Sequence, residues 1–403
     1  MLVVPVIFFS RCLQDHATAG SDPRGDRYAG SNACIPCHAR ISASYAHSGH
    51  YNTSSASLPF PSSPSLPATP STSDFPASPA ADPKGITQRI ALPGNAFYFA
   101  DSGYIRIEEK DSALFQTWFG RDGAHLSERF DISFGSGEKA QTYGYWKGDR
   151  LYQLPLTWFA GVHGWANSPG FTARHAQFGR VITSRCFECH ASYVSREFVQ
   201  SGTLAVTENL DKRSIIYGID CERCHGPALG HVKFHRDNPA VKTARYMVSI
   251  GSLSRRQQLD ICGVCHSGND RSPQRSLFSF LPGDTLSHYY DPDFGSGGTT
   301  EPDVHGQQLQ MLQFSMCYRK SGMTCMTCHN GHDGEGPGMG GFIATCMDCH
   351  PHARHTAGLI TVDKNCIDCH MPLQPSKIIS FDNGAGSKNI PYLLRTHRIA
   401  VFK

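Results

Sequence analysis

The segment Cys325-Met-Thr-Cys328-His329 is followed by Cys346-Met-Asp-Cys349-His350 and then by Cys366-Ile-Asp-Cys369-His370. In each of the three, two cysteines stand three positions apart and a histidine directly follows the second cysteine. On a single helical turn these three side chains share one face. The segments begin about 20 residues apart, which leaves room between them for a short helix and a loop.

The same pattern occurs four more times upstream: Cys34-Ile-Pro-Cys37-His38, Cys186-Phe-Glu-Cys189-His190, Cys221-Glu-Arg-Cys224-His225 and Cys262-Gly-Val-Cys265-His266. Two thiols and an imidazole in this order can form thioethers with the two vinyl groups of one haem and bind its iron. The sequence therefore predicts seven covalently bound haem c groups. The fourteen motif cysteines are the attachment sites, and the proximal iron ligands are His38, His190, His225, His266, His329, His350 and His370.

Two other interpretations of the cysteines fit poorly. Zinc ribbons need two Cys-x-x-Cys halves per metal and no histidine after each half, whereas seven motifs is an odd number and every one ends in histidine. Disulfide scaffolds have varied spacings. Of the 16 cysteines, only Cys12 and Cys317 lie outside the motifs. Cys317 is most simply a buried small apolar residue.

The remaining histidines decide what the haems can do. The chain has 21 histidines, so 14 are left for seven distal positions. An iron with histidine on both faces can only exchange electrons, while an open face can bind a substrate. The candidates for distal ligands are His50 with His47 as its competitor, His175, His231 and His235 together or singly, His305, His332, His355 with His352 as its alternative, and His397.

The chain between the motifs divides into segments of different character. Residues 53–86 are mostly Ser, Pro, Thr and Ala, which predicts a linker or surface loop. Residues 87–160 alternate apolar and polar positions, as at Ile105 and Ile107, and Gly148 suits the turn of a hairpin. We therefore expect an export leader and arm at 1–30, a first haem segment at 31–52, the loop at 53–86, a β-rich insert at 87–160 and a six-haem domain at 161–403.

The N-terminus and the charge balance limit location and partners. The apolar run from Leu2 to Phe9 has the length of a signal-peptide core and is too short to span a bilayer. It indicates export to the periplasm, the outer-membrane surface or the extracellular space. Cys12 is a candidate for a lipid anchor, and a cleaved or incomplete leader is the alternative. A net charge of +3 without runs of Lys and Arg argues against nucleic acid as a partner.

Four stretches carry a resemblance to a known superfamily. They are Tyr28-Ala-Gly-Ser-Asn-Ala-Cys34 with Ser-Gly-His50, the third motif with Gly-Pro and His231, the fifth motif with His332, and the seventh motif with Met-Pro372 and a late His397. They resemble the multihaem cytochromes related to hydroxylamine oxidoreductase, pentahaem nitrite reductase and the tetrahaem cytochrome of ammonia oxidisers. The overall layout is similar to that of bacterial heptahaem cytochromes. The resemblance implies distal ligation by His50, His231, His332 and His397.

These observations predict a mainly α and irregular, haem-cored multihaem cytochrome with a small antiparallel β insert. The supply of histidines favours electron transfer between closely spaced bis-histidine haems, in a carrier or in the subunit of an extracellular filament. Redox proteins or like subunits in a homo-oligomer are the expected partners. The alternative is an oxidoreductase that acts on small nitrogen or sulfur compounds at one open-faced haem.

Overall fold

The computed structural model describes residues 22–56 and 96–402, apart from gaps at 112, 203, 269–270, 291–301, 335, 352–364, 383 and 385–388. Cys12, most of the predicted loop at 53–86, His352 and His355 lie outside the described residues. The expectations that concern them stay predictions.

Fifteen strands are found in the part of the chain that the structure describes. The first eleven are β1 (Ser54–Ala56), β2 (Ala96–Phe99), β3 (Gly103–Lys110), β4 (Ala113–Phe119), β5 (His125–Arg129), β6 (Ile132–Phe134), β7 (Ala140–Lys147), β8 (Arg150–Gln153), β9 (Leu156–Phe159), β10 (Gly164–Asn167) and β11 (Val181–Ile182). The last four are β12 (Ala191–Ser201), β13 (Ala205–Tyr217), β14 (Leu373–Phe381) and β15 (Ile390–Arg395).

The strands from β1 to β11 form two sheets. Strands β2 to β5 pair in chain order, and the seven-stranded sheet has the order β1-β6-β7-β8-β11, with β9 joining β7 and β10 joining β9. The predicted alternation is confirmed, because Ile105 and Ile107 are buried whereas Arg106 between them is exposed. The predicted hairpin is also confirmed, with β7 paired to β8 and Gly148 at a φ of 60° in the turn.

A shared core joins the two sheets. Phe97, Ile105 and Ile107 from the four-stranded sheet pack against Tyr143 and Trp165 from the seven-stranded sheet. Burying each such side chain stabilises the fold by roughly 1.5–3 kcal/mol relative to leaving it in water. This β-rich part therefore has its own apolar core, which consists of protein side chains.

The helices are short and are concentrated around the motifs. They are α1 (Ile35–Tyr45), α2 (Ser184–His190), α3 (Cys221–His225), α4 (Leu229–Asp237), α5 (Arg255–His266), α6 (Gln308–Gln313), α7 (Met316–Lys320), α8 (Gly338–Cys349) and α9 (Cys366–His370). Short 3-10 helices occupy Ser31–Ala33, Ala160–Val162, Ile250–Ser252, Leu277–Ser279, Leu286–His288 and Cys325–Thr327. Ser254 and Gln257 form a capping box that fixes the start of α5.

Two antiparallel ribbons follow motifs directly. Strand β12 begins at Ala191, immediately after His190, and pairs with β13. Strand β14 begins three residues after His370 and pairs with β15. In both places the chain leaves a motif helix as an extended strand.

The prediction of a mainly α fold with a small β insert is wrong. Among the residues that the structure describes, helix and strand are nearly equal, at about 29% and 30%, and several antiparallel sheets are present. The error has two sources: the insert forms two sheets with a common core, and the ribbons β12–β13 and β14–β15 were not predicted. In the described ranges, no helix has both the length and the apolar character needed to cross a membrane.

Candidate haem-binding sites

Each Cys-x-x-Cys-His motif forms one tight turn that brings its three side chains together. The backbone N–H of His38 donates to the carbonyl of Cys34 at 2.9 Å, and that of His329 donates to Cys325 at 2.9 Å. This is the helical turn that the spacing predicts. In the third motif the side chain of Asp220 caps the turn by accepting from the N–H of Arg223 at 2.8 Å.

Four of the motif histidines face a histidine from elsewhere in the chain. The ring centroids of His225 and His332 lie 5.6 Å apart with the rings nearly parallel at 2°, and their Nε2 atoms approach to 3.4 Å. The other three pairs are His38 with His231 at 6.4 Å, His266 with His50 at 6.0 Å, and His329 with His397 at 6.2 Å.

These separations fit a metal between the rings. An imidazole nitrogen binds a transition metal at about 2.0–2.1 Å, so two imidazoles on opposite faces of one iron have nitrogens about 4 Å apart and ring centroids about 6 Å apart. The four observed centroid distances all lie near that value. The predicted distal ligands His50, His231, His332 and His397 are thus placed opposite proximal histidines.

A fifth motif histidine has a different neighbour. His190 and His305 both line a cavity of about 300 Å³. The Nδ1 of His190 is hydrogen-bonded to the hydroxyl of Thr53 at 3.0 Å, which leaves its Nε2 for a metal. Within the described residues, the buried Nδ1 of His305 has no hydrogen-bond partner. This pair fits a haem site, although its rings are not in the close contact seen in the other four pairs.

Hydrogen bonds to Nδ1 orient two further ligand candidates. His231 donates from Nδ1 to the carbonyl of Arg245 at 2.9 Å, and His370 donates from Nδ1 to the carbonyl of Ala400 at 2.9 Å. Such a bond fixes the tautomer and turns Nε2 toward the metal.

The other candidates are not brought opposite a motif histidine. Both nitrogens of His235 are engaged, since Nδ1 donates to the carbonyl of Val241 at 3.1 Å and Nε2 accepts from the N–H of Arg245 at 3.3 Å. His175 is exposed and its Nε2 contacts the side chain of Gln177 at 2.9 Å. His350 is exposed after the end of α8, and the distal candidate His355 lies outside the described residues.

Burial keeps the paired imidazoles neutral, which is the form that binds a metal. Burial lowers the pKa of His266 to about 4, and the neighbouring His50 adds to the shift. Burial likewise lowers the pKa of His397 to about 4, with a further contribution from His329.

Thiols of different motifs lie in contact. The contacting pairs are Cys34 with Cys221, Cys189 with Cys265, and Cys262 with Cys325. Because each thiol marks the edge of one haem, these contacts place the first motif beside the third, and the fourth motif beside both the second and the fifth.

A buried carboxylate inside the third motif anchors the N-terminal arm, which we define as residues 22–30. The side chain of Glu222 accepts from the N–H groups of Ala29 at 2.9 Å, Gly30 at 2.8 Å and Ala228 at 2.7 Å. It also forms an ion pair with Arg24 at 3.1 Å. This role of Glu222 was not predicted from the sequence. The one available signal was an acidic residue at a motif position that the haem chemistry leaves free.

The second motif contains a similar carboxylate. Glu188 is buried and accepts from the Ser276 hydroxyl and the Leu277 N–H, both at 2.9 Å, and from Arg185 at 3.1 Å. It ties the loop that begins at Ser276 to the motif helix α2. This role of Glu188 was not predicted from the sequence either.

Comparison with known proteins gives distant matches. No family model matches the chain. A search of curated proteins finds the dissimilatory sulfite reductase MccA of Wolinella succinogenes, 26% identical over 238 residues, which is 51% of this chain and 30% of the relative. The chain thus spans less than a third of that relative's length. Among solved structures, the outer cell wall cytochrome OcwA matches with a TM-score of 0.38 and 16% identity over 91% of this chain and 74% of the other.

The residues themselves carry the assignment: the repeated Cys-x-x-Cys-His motifs form helical turns, and imidazoles face one another at the distance that an iron ion requires. With covalently bound haem c as its cofactor, the chain is a multihaem c-type cytochrome.

Proposed function

We propose that this cytochrome transfers electrons through seven haems, one at each motif, and that these haems are closed on both faces by histidine. The observation that carries the proposal is the set of four imidazole pairs, in which His38, His225, His266 and His329 each face a second histidine. Iron with two histidine ligands has no free position for a substrate, so electron exchange is the chemistry left to it.

The contacts between motifs support the same function. Haems that share contacting attachment points lie near enough for electrons to pass between them. The fourth motif contacts two others through Cys262 and Cys265. It therefore stands at a junction of the electron path rather than at its end.

The proposal includes a location and a class of partner. The leader-like run 2–9 favours export to the periplasm or the cell surface, with Cys12 as a candidate lipid anchor. The partners in this proposal are redox proteins or further copies of the chain.

The number of haems is tested on the purified holoprotein. Intact mass spectrometry should show the polypeptide mass plus seven haem groups. The pyridine haemochrome assay should give the same ratio of seven haems per chain. A lower number in a preparation with full-length chain would disprove the one-haem-per-motif proposal.

The ligation is tested by low-temperature EPR of the oxidised protein. We expect only low-spin ferric signals, with a strongly anisotropic one from the pair His50 and His266, whose rings are nearly perpendicular at 86°. A strong high-spin ferric signal of about one haem per chain would contradict closure of every iron.

A second function is favoured by two observations. The relative that matches half of this chain is called a sulfite reductase. His190 lines a cavity of about 300 Å³ together with His305, whereas four other motif histidines are in close ring contact with their partners. The second candidate is therefore reduction of a small sulfur or nitrogen compound at the haem of His190. Electrons from reduced viologen should then be consumed on addition of sulfite, nitrite or hydroxylamine; the electron-transfer proposal predicts no turnover with any of the three.

A further inference from the structure

One cation stands inside the haem-binding motifs. Among the residues between the paired cysteines of all seven motifs, Arg223 of the third motif is the one Lys or Arg. Thioether formation and iron binding use the two cysteines and the histidine, so haem attachment does not require a cation at this position. The contacts of the arginine side chain therefore decide what it can do.

The guanidinium of Arg223 reaches out of its own motif to the contact between the second and fourth motifs. Its Nη2 donates at 3.1 Å to the carbonyl of Glu188, in the peptide group that joins Glu188 to Cys189, and its Nη1 donates to the carbonyl of Leu277 at 2.8 Å. The Sγ of Cys265 lies 3.7 Å from the same Glu188 carbonyl oxygen. Because Cys189 and Cys265 are the thiols through which the two motifs touch, the cation stands beside both attachment sites.

The charge of Arg223 is not cancelled by an ion pair in the part of the chain that the structure describes. The carboxylates around it have other arginine partners: Glu188 pairs with Arg185 at 3.1 Å, and Asp220 pairs with Arg24 at 2.8 Å. The hydrogen bonds of the Arg223 guanidinium go to backbone carbonyls, and its buried Nε has no hydrogen-bond partner among the described residues. The second and fourth motifs therefore face an unpaired positive charge.

The carboxylates of the haems themselves do not supply the missing counter-ion. The cysteines of a motif bond to the vinyl edge of the porphyrin, and the two propionates are on the opposite edge. Arg223 lies at the vinyl edges of the second and fourth sites, so the propionates of these two haems are turned away from it. Its guanidinium carbon also lies 5.6 Å from the centre of the Phe278 ring, which keeps water from one side of the charge. A charge in such surroundings acts more strongly than one in water.

We propose that Arg223 raises the reduction potentials of the haems at the second and fourth motifs, so that an electron entering the protein is drawn to this junction. Reduction adds one electron to an iron and lowers the charge of the site by one, and a nearby cation stabilises that product. At an effective dielectric constant of about 20, a unit charge about 10 Å from an iron changes the ratio of reduced to oxidised haem by on the order of tenfold. For a one-electron couple this is a shift of about 59 mV.

The inference rests on the proposed electron transfer, and redox titration of the haem-loaded protein tests it. Arg223→Gln should lower the potentials of two haem equivalents by about 59 mV each. Arg223→Lys keeps the charge without the fork of hydrogen bonds and should retain most of the effect. Arg213→Gln is the matched control, because it removes the same charge from a side chain that is 94% exposed, where water screens it; its potentials should not change.

EPR during the titration identifies the fourth haem. The rings of His50 and His266 are nearly perpendicular, whereas those of His225 and His332 are nearly parallel, so the two pairs give different low-spin signals. The midpoint of the signal from the perpendicular pair should fall in Arg223→Gln. Unchanged potentials, or equal lowering in the glutamine and lysine variants, would overturn the inference. Failure of the proposed closure of every iron is distinguishable from this, because it produces a high-spin signal in the unchanged protein.

A second pair of variants leaves Arg223 and its hydrogen bonds in place and covers the case in which its own variants bind fewer haems. Phe278→Glu sets a carboxylate against the guanidinium, and Phe278→Gln is the neutral match of the same size. The same two haem equivalents should have lower potentials in the glutamate variant, because the new ion pair cancels the cation. Equal potentials in the two variants would contradict the role of the Arg223 charge.

Discussion

His231 and His235 lie on one face of α4, and their rings are 4.5 Å apart. Sequence spacing cannot separate them, because both follow the third motif at helical intervals. The structure separates them by their hydrogen bonds: His231 keeps its Nε2 free and faces His38, whereas His235 uses both nitrogens on backbone groups.

The first prediction uses this pair. His231→Ala should open one haem, and EPR of the oxidised protein should show about one new high-spin ferric iron per chain. His235→Ala on the same helix should leave the spectrum unchanged. The assignment fails if the His235 variant produces the high-spin signal and the His231 variant does not.

A second residue-scale prediction concerns acid stability. Asp22 is partly buried, which alone would raise its pKa, but hydrogen bonds and the charge of Arg24 outweigh burial and lower the pKa below its usual value of 3.8. A carboxylate with a lowered folded-state pKa stabilises the fold above about pH 4 and loses this contribution as the pH falls below it.

Asp22→Asn should therefore destabilise the protein at pH 7 by about 1.5–3 kcal/mol, the usual contribution of a hydrogen bond to a charged group. The difference from the unchanged protein should shrink as the pH falls from 4 to 2. Guanidinium midpoints over this range measure it, with Asp237→Asn at an exposed position as the control. If the difference in stability between the two proteins grows on acidification, the pKa of Asp22 is not lowered by folding.

At the scale of elements, the N-terminal arm is held by the third motif. Glu222→Ala removes the carboxylate that accepts from Ala29, Gly30 and Ala228, and leaves one buried and two partly buried N–H groups without this partner. Breaking a buried, ion-paired network typically costs about 3–5 kcal/mol. We expect a lower denaturation midpoint and faster proteolysis at residues 22–30.

Glu109→Ala, on an exposed position of β3, is the control and should change stability by less than about 0.5 kcal/mol. If both variants show the same midpoint and the same protease resistance, the arm is not held by Glu222.

The elements that could be predicted from sequence are those with a local signal. The motif turns follow from fixed spacing, and the strands around Ile105 and Ile107 follow from strict alternation that the core enforces. The ribbon β12–β13 lacks that signal, because its outer half has no buried face and apolar and polar residues mix freely there. Its pairing depends on contacts across the hairpin, which no single window of sequence contains.

The partners of the candidate distal histidines could not be predicted from local sequence either, because they lie far away in the chain. The nearest motif in sequence is not the motif that each histidine faces: His50 follows the first motif and faces His266 of the fourth, and His332 follows the fifth motif and faces His225 of the third. The resemblance pointed to both residues as distal ligands, but the motif that each one faces emerged only from the fold.

At the scale of the whole molecule, these crossed pairs join distant parts of the chain. A haem at the fourth motif would link α5 to the segment around His50, and one at the third would link α3 to the loop around His332. Each haem would thus cross-link two segments as well as carry an electron. This explains how a chain with such short helices can hold its motifs in fixed relative positions.

The position of the fourth motif gives the last prediction. His50→Met and His231→Met should each replace one distal histidine by a thioether and raise the potential of one haem, because methionine ligation favours the reduced iron. The fourth motif contacts two others through the thiols of Cys262 and Cys265, whereas among the described thiol contacts the first motif makes one, through Cys34. A raised potential at the junction makes it an electron trap on the shared path, while the same change at the first haem leaves that path intact. Redox titration should therefore show one haem equivalent shifted upward in both variants, and stopped-flow reduction should show slower equilibration of the remaining haems only in His50→Met. If the remaining haems equilibrate equally slowly in the two variants, the fourth haem is not a junction of the electron path.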